Sequence, residues 1–323
     1  MPGLWRRARV RRGVIPVLIQ ENEFHPGPDY FSRAIRPRGE HSLGFSLCDF
    51  QLVFEGFGRE DLQLLRARYG SFVSDRQPEG AGRIRVVEAE VPGFLRSRHQ
   101  ESGAPEVYRL QQVWRGDQLT TYAYEFAGWF DYSSRLGQLA IAPAQGDPLH
   151  RAIENFLRAV SAHWFLRRGG LLIHASGVVR EGLAHLFFGP SGSGKTTVTQ
   201  FSADDLILSD DLVLLRQSNS GFEACAVPFR GLYREPPQTD RAFPVAGLYR
   251  LVKDRDDFLV DLPPSLGAAE LMGSLPFVME GGRGGEALET TSRIVRDVPV
   301  RRLHFRKSAD FWRLLQPAGE EKE

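Results

Sequence analysis

The chain has 323 residues, 42% of them hydrophobic and 25% charged, the profile of a globular protein with room for two domains and a rigid core without structural metal. Its 41 basic and 40 acidic side chains leave a formal net charge of +1, which excludes the strong basic excess of a general nucleic-acid binder. No segment approaches the ~20 consecutive apolar residues of a membrane span, so neither nucleic acid nor a bilayer is an expected partner.

Residues 1–42 are rich in Arg, Pro and Gly with no sustained period and read as a basic, mobile arm. Arg6, Arg7, Arg9, Arg11 and Arg12 precede the apolar run Val14-Ile15-Pro16-Val17-Leu18-Ile19. That run is shorter than the roughly 7–15 residues of a signal-peptide core, is broken by proline and lacks a small-residue cleavage pattern. The two cysteines, Cys48 and Cys225, are far apart and have no CxxC companion. A disulfide or zinc site is therefore not expected, and a cytoplasmic location fits.

Residues 43–146 read as a β-rich domain. Phe50-Gln51-Leu52-Val53-Phe54 and Ile84-Arg85-Val86-Val87-Glu88-Ala89 are β-prone runs bounded by Gly or Pro. Residues 107–126 predict a hairpin turning at Arg115-Gly116-Asp117-Gln118, where Gly-Asp suits a tight turn. Residues 61–69 predict the one helix of this region.

The pattern changes at Asp147-Pro148. Leu149, Ile153, Phe156, Leu157, Val160, Trp164 and Phe165 recur at helical spacing, with Asp147 as cap, Pro148 in the first turn and Gly169-Gly170 as the stop. This places a domain boundary near residue 146, with a second domain over 147–316 and a polar tail over 317–323. Downstream, Leu171-Leu172-Ile173-His174 predicts a strand, 281–285 a Gly-rich loop, 298–305 a late strand and 309–315 a terminal helix. Arg301-Arg302 and the acidic stretch 254–257 read as solvated faces.

The most specific signal lies between two of these elements. Leu183-Ala184-His185-Leu186-Phe187-Phe188 is a buried-type strand, followed at once by Gly189-Pro190-Ser191-Gly192-Ser193-Gly194-Lys195-Thr196-Thr197. Gly-x-x-x-x-Gly-Lys-Thr between a strand and a helix is the phosphate-binding P-loop pattern. Its glycines let successive backbone N–H groups form an anion-binding nest. Lys195 reaches the β/γ oxygens of a nucleoside triphosphate, and the Thr196 hydroxyl is suited to Mg²⁺. ATP and Mg²⁺ are accordingly the expected cofactors, held by 189–197.

Fifteen residues after Lys195, the strand Leu206-Ile207-Leu208-Ser209 ends in Asp210-Asp211. The separation leaves space for about two helical turns and little else, less than many switch GTPases and motor ATPases carry. Two adjacent carboxylates can divide labour, one holding the metal and the other accepting a proton from an attacking hydroxyl. His174 ends the preceding strand; His185 lies inside its strand and reads as structural.

These three motifs, LLIHASGVV, GPSGSGKTT and LILSDDLVLL, together resemble the core of the HPr kinase/phosphorylase family and, more distantly, the phosphoenolpyruvate carboxykinases. The resemblance covers 149 to about 305 in pattern. It implies an α/β fold: a P-loop nucleotide-binding domain of HPr-kinase/carboxykinase type with a mixed sheet, here preceded by a smaller β-rich N-terminal domain. By matching position it implies Asp210 as general base, Asp211 as metal partner and His174 close to the phosphate. Arg230, in Arg230-Gly231-Leu232, stands where the family carries Arg-Gly-Leu-Gly, and could clamp a phosphoryl oxygen; here the flanks differ.

The function these residues and the resemblance imply is an ATP- and Mg-dependent kinase acting on a hydroxyl, serine above all, of a peptide or protein. The β-rich N-terminal domain does not resemble that of HPr kinases, so HPr itself is not the expected acceptor. The resemblance also implies self-association into a homo-oligomer. A small-metabolite kinase and a non-catalytic ATP sensor remain the alternatives.

Overall fold

The computed structural model describes residues 26–89, 110–142, 148–229, 239, 241–279 and 281–315. The chain is an α/β protein with two mixed, many-stranded sheets. A short helix, α1 (Pro28–Arg33), buries Tyr30 and Phe31, and Phe31 meets Trp129 edge-on at 6.5 Å. The stretch expected to be a mobile arm up to residue 42 is thus anchored from Pro28 onward. Two aromatic side chains in a non-periodic segment help to hold it, because each buries a large apolar area.

The first sheet is built from β1 (His41–Leu47), β2 (Phe50–Phe57), β3 (Val73–Ser74), β4 (Gly82–Glu88), β5 (Gln111–Arg115), β6 (Gln118–Tyr122), β7 (Phe126–Asp131) and β8 (Leu136–Ile141). Their order is β3-β1-β2-β4-β8-β7-β6-β5. β4 runs parallel to both neighbours, and the other pairs are antiparallel. The predicted hairpin is β5–β6, with Arg115 opposite Gln118 and Gly116 at φ +60° in the turn; residues 107–109 lie outside the described residues. Helix α2 (Arg59–Tyr69) follows β2, and the carboxylate of Asp61 accepts the Gly58 N–H at its start.

Helix α3 (Pro148–Leu166) is the hinge of the architecture in sequence and its centre in space; its expected cap, Asp147, lies outside the described residues. On one side Phe156 packs edge-on against Phe54 and Phe126 of the first sheet, at 6.3 and 6.4 Å. Trp164 stacks on Phe50 at 4.4 Å, and the Tyr132 hydroxyl donates to Val160 O at 2.9 Å. On the other side, the same hydrophobic cluster continues into Leu172, Ile173, Val213 and Leu214 of the second sheet. The sequence pattern changes at residue 148, but the core does not. Fully burying each such aromatic or aliphatic side chain contributes roughly 1.5–3 kcal/mol.

The second sheet comprises β9 (Leu171–Arg180), β10 (Leu183–Phe188), β11 (Leu206–Ser209), β12 (Leu212–Ser218), β13 (Gly221–Cys225), β14 (Ala242–Lys253), β15 (Phe258–Asp261) and β16 (Val300–Phe305). β10 lies between β9, to which it is antiparallel, and β14, to which it is parallel. β9 and β14 are long enough to be shared: their first halves pair with β12 and β13, their second halves with β10. Hydrogen bonding therefore runs full circle through β9, β12, β13, β14 and β10. Helix α4 (Lys195–Gln200) follows the glycine loop, and α5 (Pro264–Met272) and α6 (Gly284–Asp297) follow β15.

Three local expectations change. Gly284 and Gly285 open α6 rather than a loop; its buried face is Ala287, Thr290, Thr291, Ile294 and Val295, a helical period in which two threonines hide the apolar signal. The terminal helix is a 3-10 turn over Ala309–Leu314, capped by Ser308. Most directly, Cys48 and Cys225, 177 residues apart in sequence, come together with Cα atoms 6.9 Å apart. This brings the β1–β2 turn to the end of β13. Sequence spacing carries no information about such a long-range approach. Among the described residues no helix is long and apolar enough to cross a membrane.

Candidate functional site

The glycine loop leaves the buried end of β10 and returns into α4. Gly189, Gly192 and Gly194 have φ of +149°, +77° and +115°, conformations that favour residues without a Cβ. At Gly194 the reason is also steric: a Cβ there would lie 2.6 Å from the ring of Phe305 on β16. Ser193 N–H donates to Pro190 O at 3.1 Å within the loop. Lys195 is 8% exposed, and its ammonium donates to Gly189 O at 2.8 Å and Pro190 O at 3.3 Å. The loop thus wraps around its own lysine. Burial, with Arg250 nearby, lowers the Lys195 pKa, while the Asp211 carboxylate opposes the shift.

The aspartate pair occupies a break between two strands. Ser209 of β11 sits opposite Gly177 and Leu212 of β12 opposite His174, so β11 and β12 form one interrupted partner of β9. The Ser209 hydroxyl accepts N–H bonds from Asp211 at 3.1 Å and Leu212 at 3.2 Å, which fixes the interruption. Ala175 N–H holds Asp211 O at 3.0 Å. This register brings His174 Nε2 within 3.4 Å of Asp211 Oδ1.

Asp211 is also paired with Arg158 of α3, whose Nη2 lies 3.1 Å from Oδ2. Arg158 is 2.7 Å from Glu154 Oε1, and Glu154 Oε2 takes Arg68 of α2 at 2.5 Å. A chain of charge, Arg68–Glu154–Arg158–Asp211–His174, therefore runs from the first sheet's helix to the first half of β9, which continues past His174 to Arg180 instead of ending there. Burial raises the Asp211 pKa; Arg158 and His174 pull it back, and the adjacent Asp210 carboxylate adds to the rise. Burial lowers the His174 pKa, reinforced by the Lys195 and Arg158 charges and opposed by Asp211.

These groups share one cavity of about 760 Å³, within the size range of small-molecule sites. His174, Ser191, Gly192, Gly194, Lys195, Thr196, Thr197, Asp210 and Asp211 all line it. Pro190 and Gly189 stand behind, as carbonyl acceptors of Lys195. Ser193 is buried within the loop. Arg230 lies outside the described residues; its neighbour Phe229 is buried, with the Arg158 guanidinium 5.4 Å above its ring. His185 is also buried but elsewhere, stacked on Tyr249 at 5.9 Å and edge-on to Trp312 at 5.1 Å.

The cavity has a second wall that sequence reasoning missed. Arg151, Glu154, Asn155 and Arg158 of α3, Arg68 of α2 and Lys253 at the end of β14 line it as well. The α3 members recur at i, i+3, i+4 and i+7, so a polar stripe was readable on a helix otherwise identified by its apolar positions. Arg68 and Lys253 carried no local signal. In total five cationic side chains, Arg68, Arg151, Arg158, Lys195 and Lys253, face three carboxylates, Glu154, Asp210 and Asp211. Such a cavity attracts a multiply charged anion.

No protein-family model matches the chain, and no curated protein matches it significantly. The resemblance to HPr kinases thus stands on its three motifs. What the geometry adds is that all three motifs reach the same cavity.

The oxygen donors suit a hard cation with few protein ligands. No group of three or more His, Cys, Asp or Glu side chains poised for a metal occurs among the described residues. The Thr196 hydroxyl and the two aspartates offer a sparse oxygen set, the type that fits Mg²⁺ held jointly with phosphate oxygens rather than in an all-protein cage.

Proposed function

We propose that the chain is an ATP- and Mg-dependent kinase that transfers the γ-phosphoryl group to a hydroxyl, serine above all, of a peptide or protein. The observation that carries this reading is the convergence of Lys195, Thr196, the aspartate pair and His174 on one cationic cavity. A nucleotide-only sensor would need the loop and a metal partner, but not a second carboxylate coupled to an imidazole.

Backbone N–H groups of the glycine loop and the Lys195 ammonium would hold the triphosphate, and Thr196 with one aspartate would hold Mg²⁺. That ion, when bound, neutralises phosphate charge. Residues of the chain then have two tasks: to aim the acceptor hydroxyl and to take its proton. We assign the proton-accepting role to Asp211, because its carboxylate is already oriented by Arg158 and His174. Asp210, 7% exposed and lining the same cavity, is then the metal's partner. This assignment exchanges the roles implied by matching position to the family. His174, 3.4 Å from Asp211 Oδ1, helps to orient that carboxylate.

Paired substitutions test the assignment. Asp211→Asn should leave Mg·ATP affinity nearly unchanged and lower the transfer rate by roughly 10²–10⁴-fold, the span of general-base catalysis. Asp210→Asn should instead raise the Mg²⁺ concentration needed for half-maximal nucleotide binding. The reverse pattern in calorimetric titrations would return the base role to Asp210, and loss of neither binding nor transfer would remove both from the chemistry.

A further inference from the structure

Helix α3 is enclosed by two sheets, and its apolar residues from Leu149 to Leu166 are buried. Its polar stripe, Arg151, Glu154, Asn155 and Arg158, lines the cavity that the glycine loop also lines. Two members of the stripe are ion-paired: Glu154 lies between Arg68 and Arg158, and Arg158 between Glu154 and Asp211. The other two are not. Arg151 is exposed, and neither its guanidinium nor the Asn155 amide has a hydrogen bond or ion pair among the described residues.

We propose that Arg151 and Asn155 form the acceptor-recognition surface of this cavity and select a peptide in which an acidic side chain neighbours the phosphorylated hydroxyl. The inference rests on the kinase reading for the meaning of "acceptor", but the charge preference itself does not. Lys195 belongs to the glycine loop, where triphosphate oxygens would use its charge, and Lys253 is a further exposed cation at the end of β14. Arg68 and Arg158 are committed to Glu154 and Asp211. Arg151 is left as an exposed, unpaired cation on the α3 wall of the cavity, with an amide one helical turn away that can both donate and accept. A guanidinium in that position pairs bidentately with a carboxylate, and repels a lysine or arginine placed there. A free cation on an otherwise enclosed helix also contributes nothing to packing, so its removal leaves the core intact.

The test uses the full chain saturated with Mg²⁺ and a non-transferable ATP analogue, so that the glycine loop cannot itself take up the peptide's charge. Short fluorescent peptides with a central serine and glutamate, glutamine or lysine at the flanking positions are titrated by anisotropy. The glutamate peptide should bind at least about tenfold more tightly than the lysine peptide, and Arg151→Glu should erase or invert that order. Arg151→Gln should fall between the two. Equal affinities in the wild type, or an order that Arg151→Glu leaves unchanged, would overturn the proposal. Nucleotide binding measured in the same samples keeps the two readings apart. An Arg151-dependent peptide order without nucleotide binding would retain the acidic-ligand surface and remove the kinase. Nucleotide binding with charge-blind peptides would do the opposite.

Discussion

The two sides of helix α3 solve different problems with the same backbone. Toward the first sheet it presents Phe156, Val160 and Trp164 into an aromatic core of Phe50, Phe54, Phe126 and Phe130. Toward the cavity it presents Arg151, Glu154, Asn155 and Arg158. The first face packs on the first sheet; the second lines the cavity that the glycine loop also lines. Stability and chemistry are therefore separated by a rotation about one axis, and substitutions on one face should leave the other's property largely alone.

Phe156→Ala is the strongest challenge to that separation. It should cost about 3–5 kcal/mol of unfolding free energy, the usual range for emptying an aromatic core position. Below the lowered melting temperature, nucleotide affinity should stay within a few-fold of wild type. A large affinity loss in protein that is still folded by circular dichroism would mean that the dry face also shapes the cavity.

The difference between the faces also explains what was legible in the sequence. Leu149, Ile153, Phe156, Leu157, Val160, Trp164 and Phe165 announced α3 through their period, because burial against a sheet imposes one. The glycine loop and Asp210-Asp211 stood out because the P-loop pattern fixes residue types at short spacing, and both line the cavity. The polar stripe was present in the same window but reads like any solvated helix face; only the second sheet's approach turns it into a cavity wall. Arg68 and Lys253 join the site from 127 and 58 positions away from Lys195, distances over which residue types carry no contact information. Cys48 and Cys225 fail to be legible for the same reason. The mixed sheet around β10 was expected from resemblance, whereas the full circle through β9 and β14 depends on strands long enough to be shared, and β14 was not expected at all.

A smaller effect sharpens the comparison through pH. His163, on the dry side of α3, is 1% exposed, and its Nε2 lies 2.7 Å from Gln112 Oε1. Burial, with the Arg283 and Arg167 charges, lowers its pKa from 6.5 to about 3. The unfolded chain therefore binds this proton more readily than the folded one. The contribution of neutral His163 is complete above about 6.5 and is lost as pH falls toward 3, at up to about 1.4 kcal/mol per pH unit. Urea titrations at stepped pH should show this slope in the wild type and a shallower one in His163→Gln. An unchanged slope would place the acid sensitivity elsewhere.

The central claim, phosphoryl transfer in the cavity between the glycine loop and α3, is tested most directly by incubation with γ-phosphate-labelled ATP, Mg²⁺ and the serine peptides, for wild type and Lys195→Ala side by side. The account predicts label on the peptide hydroxyl with the wild type. It predicts loss of that label in Lys195→Ala, with ATP affinity reduced on the order of 100-fold because a charge-assisted partner of the phosphates is gone. Wild-type protein that binds Mg·ATP yet labels no peptide, or a Lys195→Ala protein that labels peptide as well as the wild type, would contradict it.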